Sequence, residues 1–318
     1  MPTLRGRGWA SEDRCHPSSA PTGVISVSSG VLTVAGTPIQ LKGLAVLDST
    51  MGSTPPAGIR ALFGPSVNAI MLAIGADGGG YQTAQPTAAI VSYVEACNAA
   101  GMWVCLSDYV PGQPQGRSGQ DLTNCCAWYS QLSQAVAGKQ VFWTTSNEVQ
   151  GPLDTSLAAI YQAIRGAGDQ NLILIEPSWP TSLSRATVAG MTGVGWNLHI
   201  YPWEFASLPP DQATRDAALQ STIDGWRNFG NSLDGPMPVV NGEGGNSTSG
   251  NGVPPDDPLI DGKYATVQAC LNLQRQPSGL AGNLFWLHDW HGQGGAADTL
   301  VVNGALTNYG RQVVAGFG

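Results

Sequence analysis

The chain has 318 residues, of which 42% are apolar and only 11% are charged, less than half the roughly 25% of an average soluble domain. A net charge of −8, with 14 basic residues, argues against a nucleic-acid surface, because phosphate binding needs clustered Lys and Arg. No apolar run approaches the roughly 18 to 20 residues of a membrane span. An uncharged partner fits this composition best.

The N-terminal segment differs from the rest of the chain. Residues 1–22 carry three arginines but no apolar stretch of about 7 to 15 residues, such as a secretory signal contains. We therefore predict a flexible leader over residues 1–22 and one domain over residues 23–318. The six cysteines form no CxxC pair and lack the His spacing of a zinc site. No metal and no cofactor are expected.

Strand patterns begin directly after the leader. Residues 23–42 alternate between apolar and polar around a Ser-Ser-Gly turn, which predicts a β-hairpin. Beyond the hairpin, short apolar runs bounded by turn residues predict eight buried parallel strands. The runs cover residues 39–46, 69–74, 103–107, 141–145, 172–175, 195–201, 238–241 and 283–288.

Segments with helical periodicity lie between or after these runs. They cover residues 86–100, 121–137, 154–166, 211–229, 264–276 and 308–314. Eight strands alternating with helices, about 35 residues apart, predict an α/β fold, a (β/α)8 TIM barrel with an N-terminal β-hairpin. A doubly wound open sheet is the alternative. Its nucleotide fingerprint is missing, because the glycine-rich residues 75–80 have the wrong spacing.

Two carboxylates stand at the ends of predicted strands, where a barrel places its chemistry. Glu148, preceded by Asn147, follows the fourth run, and Glu243 follows the seventh. One such carboxyl group can act as an acid while the other stays ionised, which is what cleavage of a glycosidic bond needs. A single Glu is most simply a solvated loop residue. Two at equivalent strand ends favour a catalytic pair.

Polar and aromatic side chains accompany the two carboxylates. His199 and Tyr201 lie two positions apart in the sixth run and so share one face of a strand. Trp286, in the eighth run, is either a ring that stacks on a sugar or an ordinary core residue. For Asp108 a structural hydrogen-bonding role is as compatible with the sequence as a contact with substrate. The further candidates for binding substrate, each after a predicted strand, are Asp108, Trp203 and Trp290.

Together, Asn147-Glu148, His199-x-Tyr201, Glu243 and Trp286 resemble the motifs of the retaining glycoside hydrolases of clan A, most closely family 5, which includes cellulases and mannanases. The hairpin, followed by Gln-Leu-Lys-Gly at 40–43, and the closing Leu-Thr-Asn-Tyr-Gly at 306–310 are also similar to that family. The resemblance runs from about residue 23 to the C-terminus.

The resemblance implies roles for the two carboxylates. Glu148 would be the general acid/base and Glu243 the nucleophile, with carboxyl groups about 5 to 5.5 Å apart. We expect the neighbouring negative charge to keep Glu148 protonated in the resting enzyme, and its pKa to fall once Glu243 carries a sugar.

The same resemblance implies that Asn147 holds the sugar 2-hydroxyl and that Tyr201 orients the nucleophile by a hydrogen bond. His199 would join this polar network, and Trp286 would form the floor of the sugar subsite beside the cleaved bond.

Three positions depart from the pattern that family 5 usually shows. Its Arg near the end of the second strand has no counterpart in residues 69–74, and its His after the third strand has none in residues 106–109. Val149 stands where a Pro commonly follows the Asn-Glu pair. A divergent branch of family 5 and another clan A family are both compatible with these departures.

The expected activity is hydrolysis of β-linked glycans, of the β-glucan or β-mannan type, by double displacement through a covalent glycosyl-enzyme, with endo action. The expected partner is a polysaccharide or oligosaccharide substrate, with no nucleic acid and no membrane, for a monomeric extracellular protein. A non-catalytic carbohydrate-binding barrel is the alternative. A second alternative is a barrel enzyme of another chemistry, such as an aldolase or a metal-dependent hydrolase. It would need a Lys at a strand end or a His/Asp metal cluster, and the three lysines, Lys42, Lys139 and Lys263, are poorly placed for a Schiff base.

Overall fold

The computed structural model describes residues 23–76, 78–110, 116–149, 151–177, 183–205, 207–209, 211–246, 261–287 and 299–318, so the predicted leader over 1–22 lies outside the described residues. The described part of the chain begins with the predicted hairpin. β1 (Ile25–Ser28) pairs antiparallel with β2 (Val31–Val34), and β3 (Thr37–Pro38) extends the sheet. Ser29 and Gly30 occupy the turn at φ 50° and 80°, left-handed values that suit the twist of a hairpin.

The strands that follow include a closed parallel barrel. In chain order they are β4 (Leu41–Leu47), β5 (Ala69–Ile74), β6 (Trp103–Asp108), β7 (Val141–Thr144), β8 (Ile173–Ile175), β9 (Val194–Ile200), β10 (Asn231–Ser232), β11 (Gly235–Pro236), β12 (Val239–Gly244), β13 (Gly282–Phe285), β14 (Val301–Val302) and β15 (Ala305–Leu306). β4 to β9, β12 and β13 form the barrel. Each of the eight predicted runs overlaps one barrel strand, which confirms the predicted (β/α)8 fold.

The barrel closes where β13 pairs with β4, so that the last and first strands are neighbours. Apolar side chains cover both faces of the strands. Met71 and Phe142 belong to the cluster inside the barrel, whereas Ile70 and Trp143 belong to the cluster between strands and helices. Burial on both faces explains why these strands appear in the sequence as continuous apolar runs.

Helices surround the barrel. They are α1 (Pro56–Phe63), α2 (Thr87–Ala99), α3 (Gly119–Ala135), α4 (Asp154–Gly166), α5 (Arg185–Ala189), α6 (Gln212–Phe229), α7 (Asp261–Gln274) and α8 (Asn308–Phe317). The start of α6 is capped by Asp211, whose side chain accepts a bond from the Thr214 amide. No described helix is long and apolar enough to cross a membrane.

Two of these helices, α1 and α5, were missed by the sequence analysis. α1 has eight residues and contains Gly58, a poor helix former, and α5 has five residues. Neither is long enough to show the periodicity that identified the other helices.

Candidate active site

Glu243 reaches the mouth of the barrel through an irregularity in β12. The register between β12 and β9 shifts between Asn241 and Glu243, so that Glu243 pairs with His199. Such a bulge re-aims the side chain that follows it. Gly242 makes the bulge feasible, because a Cβ at this position would collide with the side-chain amide of Asn197. Glu243 itself is 3% exposed.

Tyr201 contacts Glu243 directly. It follows β9, and its hydroxyl donates a 2.7 Å hydrogen bond to Oε1 of Glu243. The Tyr201 ring stacks on Trp203, with ring centroids 4.0 Å apart and planes 11° from parallel. Trp203 is 40% exposed. An exposed aromatic ring thus stacks directly on the side chain that orients Glu243.

Glu148 lies in the turn after β7, with its side chain 42% exposed. Its φ of 48° is in the left-handed region, which few residues with a side chain adopt. Its backbone amide donates a 2.5 Å hydrogen bond to Oε1 of Glu176. The preceding residue, Asn147, is buried, and its Nδ2 has no hydrogen-bond partner among the described residues. This amide is therefore available to a ligand.

His199 links three carboxylates. Its Nδ1 lies 3.2 Å from Oε1 of Glu148 and 3.8 Å from Oε2 of Glu243, and its Nε2 lies 3.1 Å from Oε2 of Glu176. One carboxylate oxygen of Glu148, one of Glu243 and a ring nitrogen of His199 all lie within 4.8 Å of one another. The two carboxylates predicted as a pair are thus brought together, and the imidazole lies beside them.

These neighbours shift the pKa values of the cluster. Burial alone would lower the pKa of His199, but the charges of Glu176 and Glu243 and its hydrogen bonds raise it well above the usual value. Burial raises the pKa of Glu243 to about 7, although His199 and Tyr201 oppose the shift. The hydrogen bond from His199 lowers the pKa of Glu148, outweighing its burial.

These directions correct one expectation from the sequence. We expected the neighbouring negative charge to keep Glu148 protonated. The structure instead favours the proton on Glu243, because Glu243 is the more buried of the two and His199 stabilises ionised Glu148. Because the two carboxyl groups lie close together, macroscopic pKa values belong to the pair.

The same cluster has the ligand types of a cation site. The neighbouring carboxylates raise the pKa of His199, so a cation would have to compete with a proton for its ring nitrogen. The same three groups are also suited to proton transfer.

Trp286 lies just after β13 and is 6% exposed. Its ring stacks on Tyr109, with centroids 4.9 Å apart and planes 14° from parallel. The Tyr309 hydroxyl donates to the carbonyl oxygens of Trp286 and Gly244, at 2.9 and 3.0 Å. Tyr309 belongs to the closing motif that resembled family 5, and here it ties the ends of the seventh and eighth barrel strands together.

Asp108, a candidate for substrate contact, is not brought to this cluster. It is 1% exposed, and its carboxylate binds the Arg117 guanidinium at 2.7 Å and the backbone amide of Tyr81 at 2.6 Å. Because protein groups occupy both oxygens, the structural role that the sequence left open fits Asp108 better than a sugar contact. Trp290 lies outside the described residues.

A cavity of about 440 Å³ adjoins the cluster, lined in part by Glu148, Glu176, His199 and Trp203. A larger cavity of about 690 Å³ lies elsewhere, against the hairpin, and its only charged lining residues are Lys42 and Arg227. None of its lining residues is a carboxylate, so it offers no pair of carboxyl groups for glycosidic cleavage. The grouping of titratable side chains, rather than cavity size, identifies the candidate active site.

For three residues near the cluster, the sequence predicted no contact with the site. Glu176 directly follows the fifth predicted strand, just as Glu148 follows the fourth. Its position at a strand end could be predicted from the sequence, but its contacts with Glu148 and His199 could not. Tyr109 follows the third strand and stacks on Trp286. Glu204 lines the cavity and is exposed, but it lies in a 3-10 turn that gave no strand-end signal.

Comparison with known proteins gives matches in structure only. No family model and no curated protein matches the chain. The catalytic domain of a mannanase from Streptomyces sp. SirexAA-E is 18% identical, covers 99% of this chain and 96% of its own, and has a TM-score of 0.64.

A β-mannanase from Thermomonospora fusca in complex with mannohexaose is 17% identical, with 93% of this chain and 95% of that chain covered and a TM-score of 0.64. The catalytic domain of a Thermobifida fusca endoglucanase in complex with cellotetraose is 17% identical, with coverages of 93% and 97% and a TM-score of 0.62. The barrel of this chain is thus similar in fold to the barrels of these β-mannanases and of this endoglucanase. At the level of the fold, this confirms the resemblance to clan A and family 5.

Proposed function

We propose that the protein is a retaining β-glycoside hydrolase in which Glu148 is the acid/base and Glu243 the nucleophile. The observation that carries this proposal is the distance between them, since an oxygen of one carboxylate lies within 4.8 Å of an oxygen of the other. Retaining enzymes hold the two carboxyl groups about 5 to 5.5 Å apart, whereas inverting enzymes leave about 6.5 to 9.5 Å for a water molecule.

In the first step, Glu243 attacks the anomeric carbon and forms a glycosyl ester while Glu148 gives its proton to the departing glycosidic oxygen. Glu243 must be ionised and Glu148 protonated. The pKa directions in the free protein, lowered for Glu148 and raised for Glu243, favour the opposite arrangement.

In the second step, Glu148 takes a proton from water, the water oxygen attacks the anomeric carbon, and Glu243 leaves as a carboxylate. The hydrogen bond from His199 stabilises ionised Glu148, which is the form that acts as base. The hydroxyl of Tyr201 stabilises the carboxylate that Glu243 regains.

The remaining groups suit a neutral sugar substrate. Asn147, with its unpaired buried amide, would hold the 2-hydroxyl, Trp286 would form the subsite floor and exposed Trp203 would stack on a further sugar ring. The neighbours crystallised with mannohexaose and cellotetraose favour a β-mannan or β-glucan cleaved by endo action. No cofactor enters this chemistry. We further propose that the protein acts as an extracellular monomer.

The proposal is tested by measuring reducing-sugar release from β-glucans, β-mannans and xylans. We expect the wild type to cleave at least one polymer and Glu243→Gln to cleave none, because the amide cannot act as a nucleophile. Glu95→Gln is the matched control, since Glu95 is an exposed carboxylate paired with Lys139 at the surface. It should keep wild-type activity.

Binding without cleavage would favour the alternative function, a carbohydrate-binding barrel. In that case the wild type and Glu243→Gln would retain the same polysaccharide in an affinity gel while neither released reducing ends. Cleavage with inversion of the anomeric configuration, observed by NMR, would contradict the role of Glu243 as nucleophile.

A further inference from the structure

Glu176 is a buried carboxylate directly after β8, and neither proposed step uses it. Its Oε1 accepts the hydrogen bond from the backbone amide of Glu148 at 2.5 Å, and its Oε2 lies 3.1 Å from Nε2 of His199. One carboxylate thus contacts both the backbone of the acid/base and the imidazole that contacts the acid/base side chain.

The backbone of Glu148 depends on such a contact. Its φ of 48° is sparsely populated for a residue with a side chain, and conformations of this kind persist where the surroundings fix them. β7 ends at Thr144, before Glu148, so the Glu148 amide lies beyond the barrel ladder. Glu176, from the next strand, provides its acceptor.

His199 forms a second connection between Glu176 and Glu148. Contacts at both ring nitrogens fix the orientation of the imidazole, at 3.2 Å from Glu148 and 3.1 Å from Glu176. Without Glu176, the ring would be free to turn toward Glu243, whose Oε2 already lies 3.8 Å from Nδ1. The carboxyl group of Glu148 would then lose its hydrogen bond.

Stability alone does not explain a carboxylate at this position. Burial of a charge carries a desolvation cost that one well-placed partner must offset. Among the described residues, the cationic neighbour of Glu176 is His199, which is shared with Glu148 and Glu243. Because this partner also contacts Glu148 and Glu243, a role in the site accounts for Glu176.

On the basis of the proposed function, we propose that Glu176 is a positioning residue for the acid/base: it holds the backbone of Glu148 directly and the carboxyl group of Glu148 through His199. Glu176 therefore affects the rate of cleavage when the leaving group needs a proton from Glu148. Glu176 matters less when the leaving group departs unaided, because attack by Glu243 does not use the proton of Glu148.

The test measures kcat/KM for aryl β-glycosides of the sugar that the wild type cleaves, with leaving groups of graded acidity. For Glu176→Gln we expect a loss of about 10- to 100-fold with a phenyl leaving group, part of the contribution of general acid catalysis. With 2,4-dinitrophenyl we expect a loss below about threefold, because this group departs without a proton.

Asp108→Asn is the matched control. Asp108 is also a buried carboxylate at a strand end that accepts a backbone amide and pairs with a cation, but it does not contact Glu148 or His199. Damage caused only by the loss of a buried charge should reduce kcat/KM by the same factor for both leaving groups. Thermal unfolding of each variant establishes that it is folded.

Equal losses for the two leaving groups in Glu176→Gln, or no loss at all, would overturn the positioning role. If Glu176→Gln does not fold, Glu176→Asp replaces it: the charge is kept, the shorter side chain reaches less far, and an intermediate loss with the same dependence on leaving group is expected. Failure of the wild type to cleave either aryl glycoside or any polymer would instead contradict the proposed function itself.

Discussion

Tyr201 and Glu243 form a hydrogen bond of 2.7 Å that distinguishes the two oxygens of the Glu243 carboxylate. Oε1 accepts the bond from the Tyr201 hydroxyl, whereas Oε2 is buried and lies 3.8 Å from Nδ1 of His199. The two oxygens therefore have different surroundings. In a double displacement, Oε2 would form the bond to the anomeric carbon while Tyr201 holds Oε1.

Removal of this hydroxyl should change both rate and pH dependence. In Tyr201→Phe we expect a roughly 10- to 100-fold loss of kcat, the contribution of one hydrogen bond to a charged group. The bond lowers the pKa of Glu243, so its loss should raise that pKa. Because Glu243 has the higher pKa of the pair, the basic limb of the kcat/KM profile should move to higher pH. An unchanged basic limb would contradict this assignment.

Glu148→Ala should separate the two chemical steps. With an activated aryl glycoside the first step needs no acid and should survive, whereas hydrolysis of the glycosyl-enzyme loses its base and should slow by about 10²- to 10⁴-fold. Added azide needs no base, so it should restore turnover and yield a β-glycosyl azide, identified by NMR. Absence of an azide effect would argue against Glu148 as the acid/base.

The pKa of Glu243 predicts an unusual dependence of stability on pH. Its folded value of about 7 exceeds the unfolded value near 4.5, so the stability it contributes is present below about pH 4.5 and is lost as the pH rises through about 7. Glu243→Gln should therefore be more stable than the wild type at pH 8, by about 1 to 3 kcal/mol, and similar at pH 4.5.

Urea unfolding at the two pH values measures this difference. Glu95→Gln, at an exposed carboxylate, serves as the control and should show no such divergence from the wild type. Equal stability of wild type and Glu243→Gln at pH 8 would mean that ionised Glu243 is not destabilising in the folded protein.

Trp203→Ala tests the exposed ring as a sugar platform. We expect KM for a hexasaccharide to rise about 3- to 10-fold, the value of one aromatic contact, with little change for a short aryl glycoside. Trp203→Phe keeps a ring and should recover most of the affinity. Leu233→Ala, at a 67% exposed residue, is the surface control. Equal losses on long and short substrates would indicate an effect through Tyr201 instead.

The sequence predicted the barrel because its signal is long and repeated. Eight apolar runs at regular intervals reflect strands buried on both faces, and each corresponds to a barrel strand. Short elements gave no such signal. α1 and α5 were missed, and β12 extends past the predicted end at residue 241 to Gly244, because polar and glycine residues at a bulge do not look like a strand.

The sequence by itself determined which residues stand at strand ends: Glu148 and Glu243 follow from the period of a strand and the parallel order of a barrel. The tertiary structure alone decided what these residues contact. His199 joins carboxylates from three other strands, Asp108 pairs with Arg117, and Glu176 holds the backbone of Glu148. Contacts over such separations depend on strand register and side-chain direction, and a pKa depends on distances of a few ångströms that no local pattern encodes.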